Sequence, residues 1–98
     1  MKLRASSKQG ALGFPNESRS FDEKRARVCF WGYDSAIEIS FYVEADTLKK
    51  LIPEMEGTEA GILQAFDSVR EQLHDAAAKA HGRAEIGTYA HTLGVDDL

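Results

Sequence analysis

The side chains that could carry out chemistry in this chain are three histidines, one cysteine and several carboxylates. His74 and His81 are seven residues apart in a segment with helical spacing, which separates them by roughly 10.5 Å, too far to share one metal ion. Glu71 and His74 have the Glu-x-x-His spacing of di-iron carboxylate bundles, but such a site needs two helices of this kind and two further glutamates. We therefore predict no metal site and no cofactor, and we expect Glu71 and His74 to lie on a solvated helix face.

Cys29 is the second chemical candidate, because a cysteine thiolate beside a histidine is a nucleophile. It would meet His91 if the last strand lay next to the strand that carries Cys29; otherwise a cysteine in the middle of a strand is a small apolar residue. Asp34 is typical of a turn. The sequence contains no P-loop and no G-x-S-x-G or H-E-x-x-H motif. We predict a non-enzymatic protein with no catalytic residues, and keep as the alternative a small-ligand or enzyme-like site near Cys29, Trp31, Asp34 and His91.

Length and composition are those of one small globular domain: 98 residues, 43% hydrophobic and 29% charged. No apolar run approaches the roughly 18 residues of a membrane helix, and the basic start has no apolar stretch typical of a secretory signal. A single cysteine cannot form an internal disulfide. We therefore expect a cytoplasmic protein that does not act at a membrane.

The net charge of −4 is unevenly distributed. Residues 1–16 carry three basic residues and no acidic one, whereas residues 34–62 carry seven acidic residues against two lysines. A nucleic-acid-binding domain normally presents a basic stripe to the phosphates. The acidic balance of the folded part argues against nucleic acid as the main partner.

Hydrophobic periodicity defines the elements. Residues 27–33 are rich in β-formers and apolar on both faces, and residues 36–44 alternate between apolar and polar, so the two predict a hairpin. One apolar stripe, with spacing of three and four residues, predicts a single helix about 36 Å long over residues 58–81. The remaining predicted elements are strands at 18–22 and 87–92 and a short helix at 46–52.

The order β-β-β-α-α-β predicts an α+β fold, with about four antiparallel strands and two helices, one short and one long, on one face of the sheet. We place the domain at residues 14–93, a flexible arm at 1–13 and a tail at 94–98. The long helix should cover the strand face that carries Ile37, Ile39, Phe41 and Val43.

The other sheet face presents Trp31, Tyr33 and Tyr42 beside Glu38. Aromatic side chains with a polar rim are typical of protein interfaces, and two helices leave nothing obvious to cover this face. We therefore predict an interaction surface at these four residues for a protein partner or for self-association as a homodimer. The alternative is that the N-terminal arm or the C-terminal tail covers Trp31.

The chain resembles the bacterial family called domain of unknown function 1488 from about Phe14 to about Thr92. The resemblance rests on Phe-Pro-Asn at 14–16, Ser-Phe-Asp at 20–22 and, most specifically, Phe-Trp-Gly-Tyr-Asp at 30–34 followed by Glu-Ile-Ser-Phe-Tyr-Val at 38–43. It implies a small α+β domain in the bacterial cytoplasm. It brings no activity, cofactor or catalytic residue to transfer.

Overall fold

The computed structural model describes residues 12–15 and 17–98. Within those residues the chain forms five strands, three α-helices and one 3₁₀-helix. The strands are β1 (Leu12–Gly13), β2 (Arg19–Asp22), β3 (Arg27–Asp34), β4 (Ile37–Glu44) and β5 (Ala90–Leu93). The helices are α1 (Ala45–Leu51), α2 (Glu59–Ser68), α3 (Arg70–Arg83) and the 3₁₀-helix (Val95–Asp97). None of these helices is long and apolar enough to cross a membrane.

The sheet is built around the predicted hairpin of β3 and β4, paired antiparallel from Arg27↔Glu44 to Asp34↔Ile37. On the other side, β3 pairs antiparallel with both β2 and β1. β5 pairs with β4 in the parallel direction. The α+β class is confirmed, but the prediction of four antiparallel strands is wrong. Helices α1–α3 lead the chain back alongside β4, so that β5 runs in the same direction as β4. Hydrophobic periodicity shows where a strand lies in the sequence but not whether it is parallel to its neighbour.

The predicted single helix is two helices, because the chain breaks at Val69 (φ −120°, ψ 23°). The Ser68 hydroxyl donates to the Ala65 carbonyl at 2.7 Å, and the Val69 amide donates to Phe66, three residues back. The Ser68 hydroxyl competes with the backbone donors for a carbonyl of the helix, which disturbs the regular hydrogen bonding. Val69 is β-branched and therefore has a lower helix propensity. The apolar stripe nevertheless stays on one side and buries Ile62, Phe66, Leu73 and Ala76.

The core lies between the helices and one face of the sheet. Ile39, Phe41 and Val43 are fully buried there, as predicted, opposite Val28 and Phe30 of β3. Ile37, expected on the same face, is 47% exposed because it lies at the end of the hairpin, beyond the main core.

Both ends of the described chain contact the folded part. Leu12 and Gly13, assigned to the arm from the sequence, pair with Asp34 and Tyr33 in the sheet, whereas residues 1–11 lie outside the described residues. In the predicted tail, Leu98 packs against the core. The tail therefore lies on the helix side and leaves the other sheet face uncovered.

Candidate functional site

The sheet face opposite the helices carries the candidate interaction residues. Side chains alternate along a strand, so Trp31 and Tyr33 of β3 lie on the face away from buried Val28 and Phe30. We call this surface the open face and define it by the following side chains: Arg27, Cys29, Trp31, Tyr33, Glu38, Ser40, Tyr42 and Glu44. All of them are half-buried or exposed, and no helix in the described part of the chain packs over them.

Strand pairing brings all four predicted interaction residues together. Tyr33 lies directly opposite Glu38, and its hydroxyl donates to Glu38 Oε1 at 3.3 Å. Trp31 lies opposite Ser40, and Tyr42 opposite Cys29. On this face of the two strands, the Trp31–Ser40 pair therefore lies between the Cys29–Tyr42 and Tyr33–Glu38 pairs.

Arg27 also belongs to this surface, in addition to the four predicted residues. Its guanidinium carbon lies 3.8 Å from the centre of the Tyr42 ring, and its Nε donates to Asp22 Oδ2 at 3.3 Å. Such a cation–π contact fixes the ring and the cation together. The signal is present in the sequence, since Arg27 has the same alternation as Cys29 and Trp31.

Cys29 lies on the open face, and His91 lies on the opposite face. His91 is in register with Phe41 and stacks on its ring, with 5.3 Å between the ring centres. Burial raises the pKa of the Cys29 thiol, and nearby Arg27 only partly offsets this. The predicted ligand group is therefore divided between two faces of the sheet, and Cys29 has no histidine with which to form a thiolate pair.

The structure does bring Asp34 and His91 together, through His81. His81 Nε2 lies 3.0 Å from Asp34 Oδ2, and His81 Nδ1 lies 3.0 Å from His91 Nε2. Asp34 ends β3, His81 is in the last turn of α3, and His91 is in β5, so this hydrogen-bonded chain joins three elements. The spacing of residues along the helix predicts only the distance between His81 and His74. The contacts of His81 with Asp34 and His91 depend on the position of β5 beside the helix.

The hydrogen-bonded chain borders a groove of about 510 Å³, lined by Leu12, Asp34, Ala78, Lys79, His81, Gly82 and Arg83. Burial lowers the pKa of His91, and the neighbouring His81 lowers it further. Among the residues that the structure describes, no group of three or more histidine, cysteine or acidic side chains is arranged to hold a metal ion.

His74 does not lie on a solvated face, and that prediction is wrong. Its ring stacks on Phe14, with 3.9 Å between the centres and 5° between the planes. Burial lowers its pKa, and Arg70 adds to the effect. Glu71, one turn earlier, is exposed as expected. Phe14 approaches from the N-terminal segment, whose position no helical period could predict.

Comparison with known proteins identifies the family and supports the fold. A family model described as a protein of unknown function, DUF1488, matches residues 12–90, which confirms the resemblance predicted from the strand motifs. The chain is similar to the crystal structure of a protein of unknown function from the DUF1488 family of Shewanella loihica PV-4, with a TM-score of 0.69 and 17% identity over 83% of this chain and 90% of that one. No curated protein matches.

Proposed function

This chain belongs to the DUF1488 family of proteins of unknown function, and we propose that it is a non-enzymatic binding domain whose open face receives a partner protein. One observation carries the proposal: the sheet packs its helices on a single side and leaves Trp31, Tyr33 and Tyr42 on the other. Contiguous apolar or aromatic patches on a small protein usually mark an interaction site.

The composition of the open face favours a protein as its ligand. Tryptophan and tyrosine supply large contact areas with few rotatable bonds, so they lose little conformational entropy on binding. Ser40 and the hydroxyls of Tyr33 and Tyr42 add polar groups at the same surface. The face is a sheet surface rather than an enclosed cavity, which suits a macromolecule better than a small substrate.

Charge favours a basic partner over a second copy of the chain. Glu38 and Glu44 lie at the two ends of the β4 side of the face, and the cation Arg27 is already bonded to Asp22. Two copies placed face to face would bring carboxylates together, and like charges across an interface are unfavourable. Lysine or arginine side chains on a partner would instead complement Glu38 and Glu44.

The test combines capture of a partner with a quantitative binding measurement. A partner captured from host lysate is identified by mass spectrometry, purified, and titrated against wild type, Trp31→Ala and Tyr42→Ala by calorimetry. We expect each substitution to weaken binding by at least about tenfold, as for central aromatic residues of interfaces.

Ile86→Ala is the matched control, because Ile86 is a fully exposed apolar side chain outside the strands. It should bind as wild type does. Equal binding by Trp31→Ala and wild type would contradict the proposal. A homodimer that Trp31→Ala dissociates, with no other partner, would replace it with self-association.

A small-ligand site is the second candidate, supported by the groove beside Asp34 and His81. The two polar groups converge there with Lys79 and Arg83 at the edge. A metabolite that binds in this groove would raise the melting temperature of wild type and of Trp31→Ala equally, through preferential binding to the folded state. Loss of that shift in His81→Gln would assign the ligand to the groove instead of the open face.

A further inference from the structure

We propose that the hydrogen-bonded chain Asp34–His81–His91 is a proton-operated latch between the end of α3 and the sheet. The latch is closed when both imidazoles are neutral and when one of them is charged. It opens when both are charged. This inference does not depend on whether the open face binds a partner.

The neutral latch has one consistent arrangement of protons. A carboxylate only accepts, so His81 must carry its proton on Nε2 and donate to Asp34 Oδ2. His81 Nδ1 is then an acceptor, and His91 must donate to it from Nε2 across the observed 3.0 Å. In this state the proton of the His91 ring is on Nε2.

One added proton leaves both hydrogen bonds in place. His81 becomes an imidazolium that donates from Nε2 to Asp34 and from Nδ1 to His91. His91 remains neutral but must now accept at Nε2, so its own proton moves to Nδ1. His81 Nε2 faces the Asp34 carboxylate at 3.0 Å, and His81 lies in the last turn of a helix, the end that attracts cations.

A second proton breaks the latch. With both rings charged, His81 Nδ1 and His91 Nε2 each carry a hydrogen, so two donors and two positive charges face each other where the structure has 3.0 Å. Burial and the neighbouring His81 lower the pKa of His91, as expected for a ring that resists this second proton. His91 stacks on Phe41, with 5.3 Å between the ring centres, so turning towards solvent would cost this contact.

The charged groups around the latch have defined positions. Asp34 faces His81 from β3, and His91 faces it from β5. On α3 itself, Lys79 and Arg83 line the same groove, and Arg83 is paired with Asp97 of the 3₁₀-helix at 3.2 Å. Asp34 is the carboxylate that directly bonds one of the two imidazoles.

The experiment follows the imidazole nitrogens and the backbone of β5 by NMR between pH 8 and pH 5. We expect the ¹⁵N shifts of His91 to report a proton on Nε2 at pH 8, a move to Nδ1 when His81 is protonated, and a charged ring only at lower pH. As that last step occurs, amide exchange at residues 90–93, corrected for its intrinsic pH dependence, should accelerate at least about fivefold, the equivalent of one lost hydrogen bond.

Two variants separate the latch from general loss of stability. His91→Gln places an amide near the position of Nε2 that can accept or donate to His81, and should abolish the acceleration. His74→Gln removes a half-buried histidine outside the latch and should retain the acceleration. If His91→Gln does not fold, His81→Gln replaces it: His91 should then keep its neutral tautomer until it is protonated, and its pKa should rise towards the ordinary value. A His91 proton that stays on Nε2 until the ring is charged in wild type, or equal acceleration in His91→Gln, would overturn the proposal.

Discussion

The two faces of the sheet are made from alternate residues of the same strands, yet they differ in what completes them. Phe30 and Phe41 are buried beneath α2 and α3 in a shared cluster of rings, whereas Trp31 and Tyr42, one position along, are only half-buried on the opposite face. Burial of Phe30 and Phe41 stabilises the fold, which explains why large aromatic residues occur at these positions. It does not explain the large aromatic side chains of Trp31 and Tyr42, and this contrast is the basis for assigning binding to the open face.

The largest expected difference between the faces is in stability. Phe30→Ala should lower the free energy of unfolding by about 3–5 kcal/mol, because it leaves a cavity within the ring cluster. Trp31→Ala, on the adjacent residue, should cost roughly 1 kcal/mol or less, since the side chain is only half-buried. Urea denaturation of both variants at pH 7.5 measures the contrast. Equal losses would mean that Trp31 serves the fold as much as Phe30 does.

Gly32 should be the next most sensitive position, because it faces the core side and makes room for Phe14. A Cβ there would lie 2.8 Å from Phe14 Cε1 and 3.0 Å from the Gly13 carbonyl. We expect Gly32→Ala to cost about 1–3 kcal/mol by displacing Phe14 from the core. Gly57→Ala is the control, since none of the described residues has an atom within 4 Å of the place that its added methyl group would occupy. A loss in the control as large as in Gly32→Ala would attribute the effect to glycine replacement in general.

Acid should act on the helix side before it acts on the open face. His74 and His91 both have lowered pKa values from burial, so just below about pH 6.5 the unfolded chain binds more protons than the folded one. The free energy of unfolding therefore falls as pH drops from 7 towards 5. The Asp22 carboxylate, which pairs with Arg27 of the open face and has a lowered pKa, loses its contribution only at more acidic pH. The Asp67 carboxylate in α2, whose pKa is also lowered, does so in the same acidic range.

The measurement is the free energy of unfolding in urea at intervals between pH 7.5 and pH 5. His74→Gln should flatten the slope, whatever its effect on stability at pH 7.5. An unchanged slope in this variant would show that the half-buried His74 does not resist protonation.

The smallest expected effect is on the open face itself. Tyr33→Phe removes the hydroxyl that donates to Glu38 at 3.3 Å in an exposed pair, so stability should change by less than about 0.5 kcal/mol. If Tyr33 contacts the partner through this hydroxyl, affinity should fall while the urea midpoint stays constant. A large shift in the midpoint would move Tyr33 from the binding role to a structural one.

Alternation along the strands is enough to predict both faces. It assigns Trp31 and Tyr33 to one side and Phe30 to the other, because successive side chains of a strand point in opposite directions. The contacts that join distant elements are not predictable in this way. His81 meets Asp34 and His91 only because β5 runs parallel to β4 beside the end of α3, and the break at Val69 depends on a serine hydroxyl that competes with the helix backbone. Neither the His81 contacts nor the break at Val69 produces a periodic pattern of residues in the sequence.

The most direct test of the binding role uses Trp31 itself, the single tryptophan of the chain. Its fluorescence is recorded while the purified partner, prepared without tryptophan where its sequence allows, is added to the wild-type protein at pH 7.5. If the open face is the binding surface, the emission should shift to shorter wavelength and become protected from acrylamide quenching, with saturation at the affinity found by calorimetry. Saturable binding with unchanged emission and unchanged quenching would place the partner elsewhere and contradict the account.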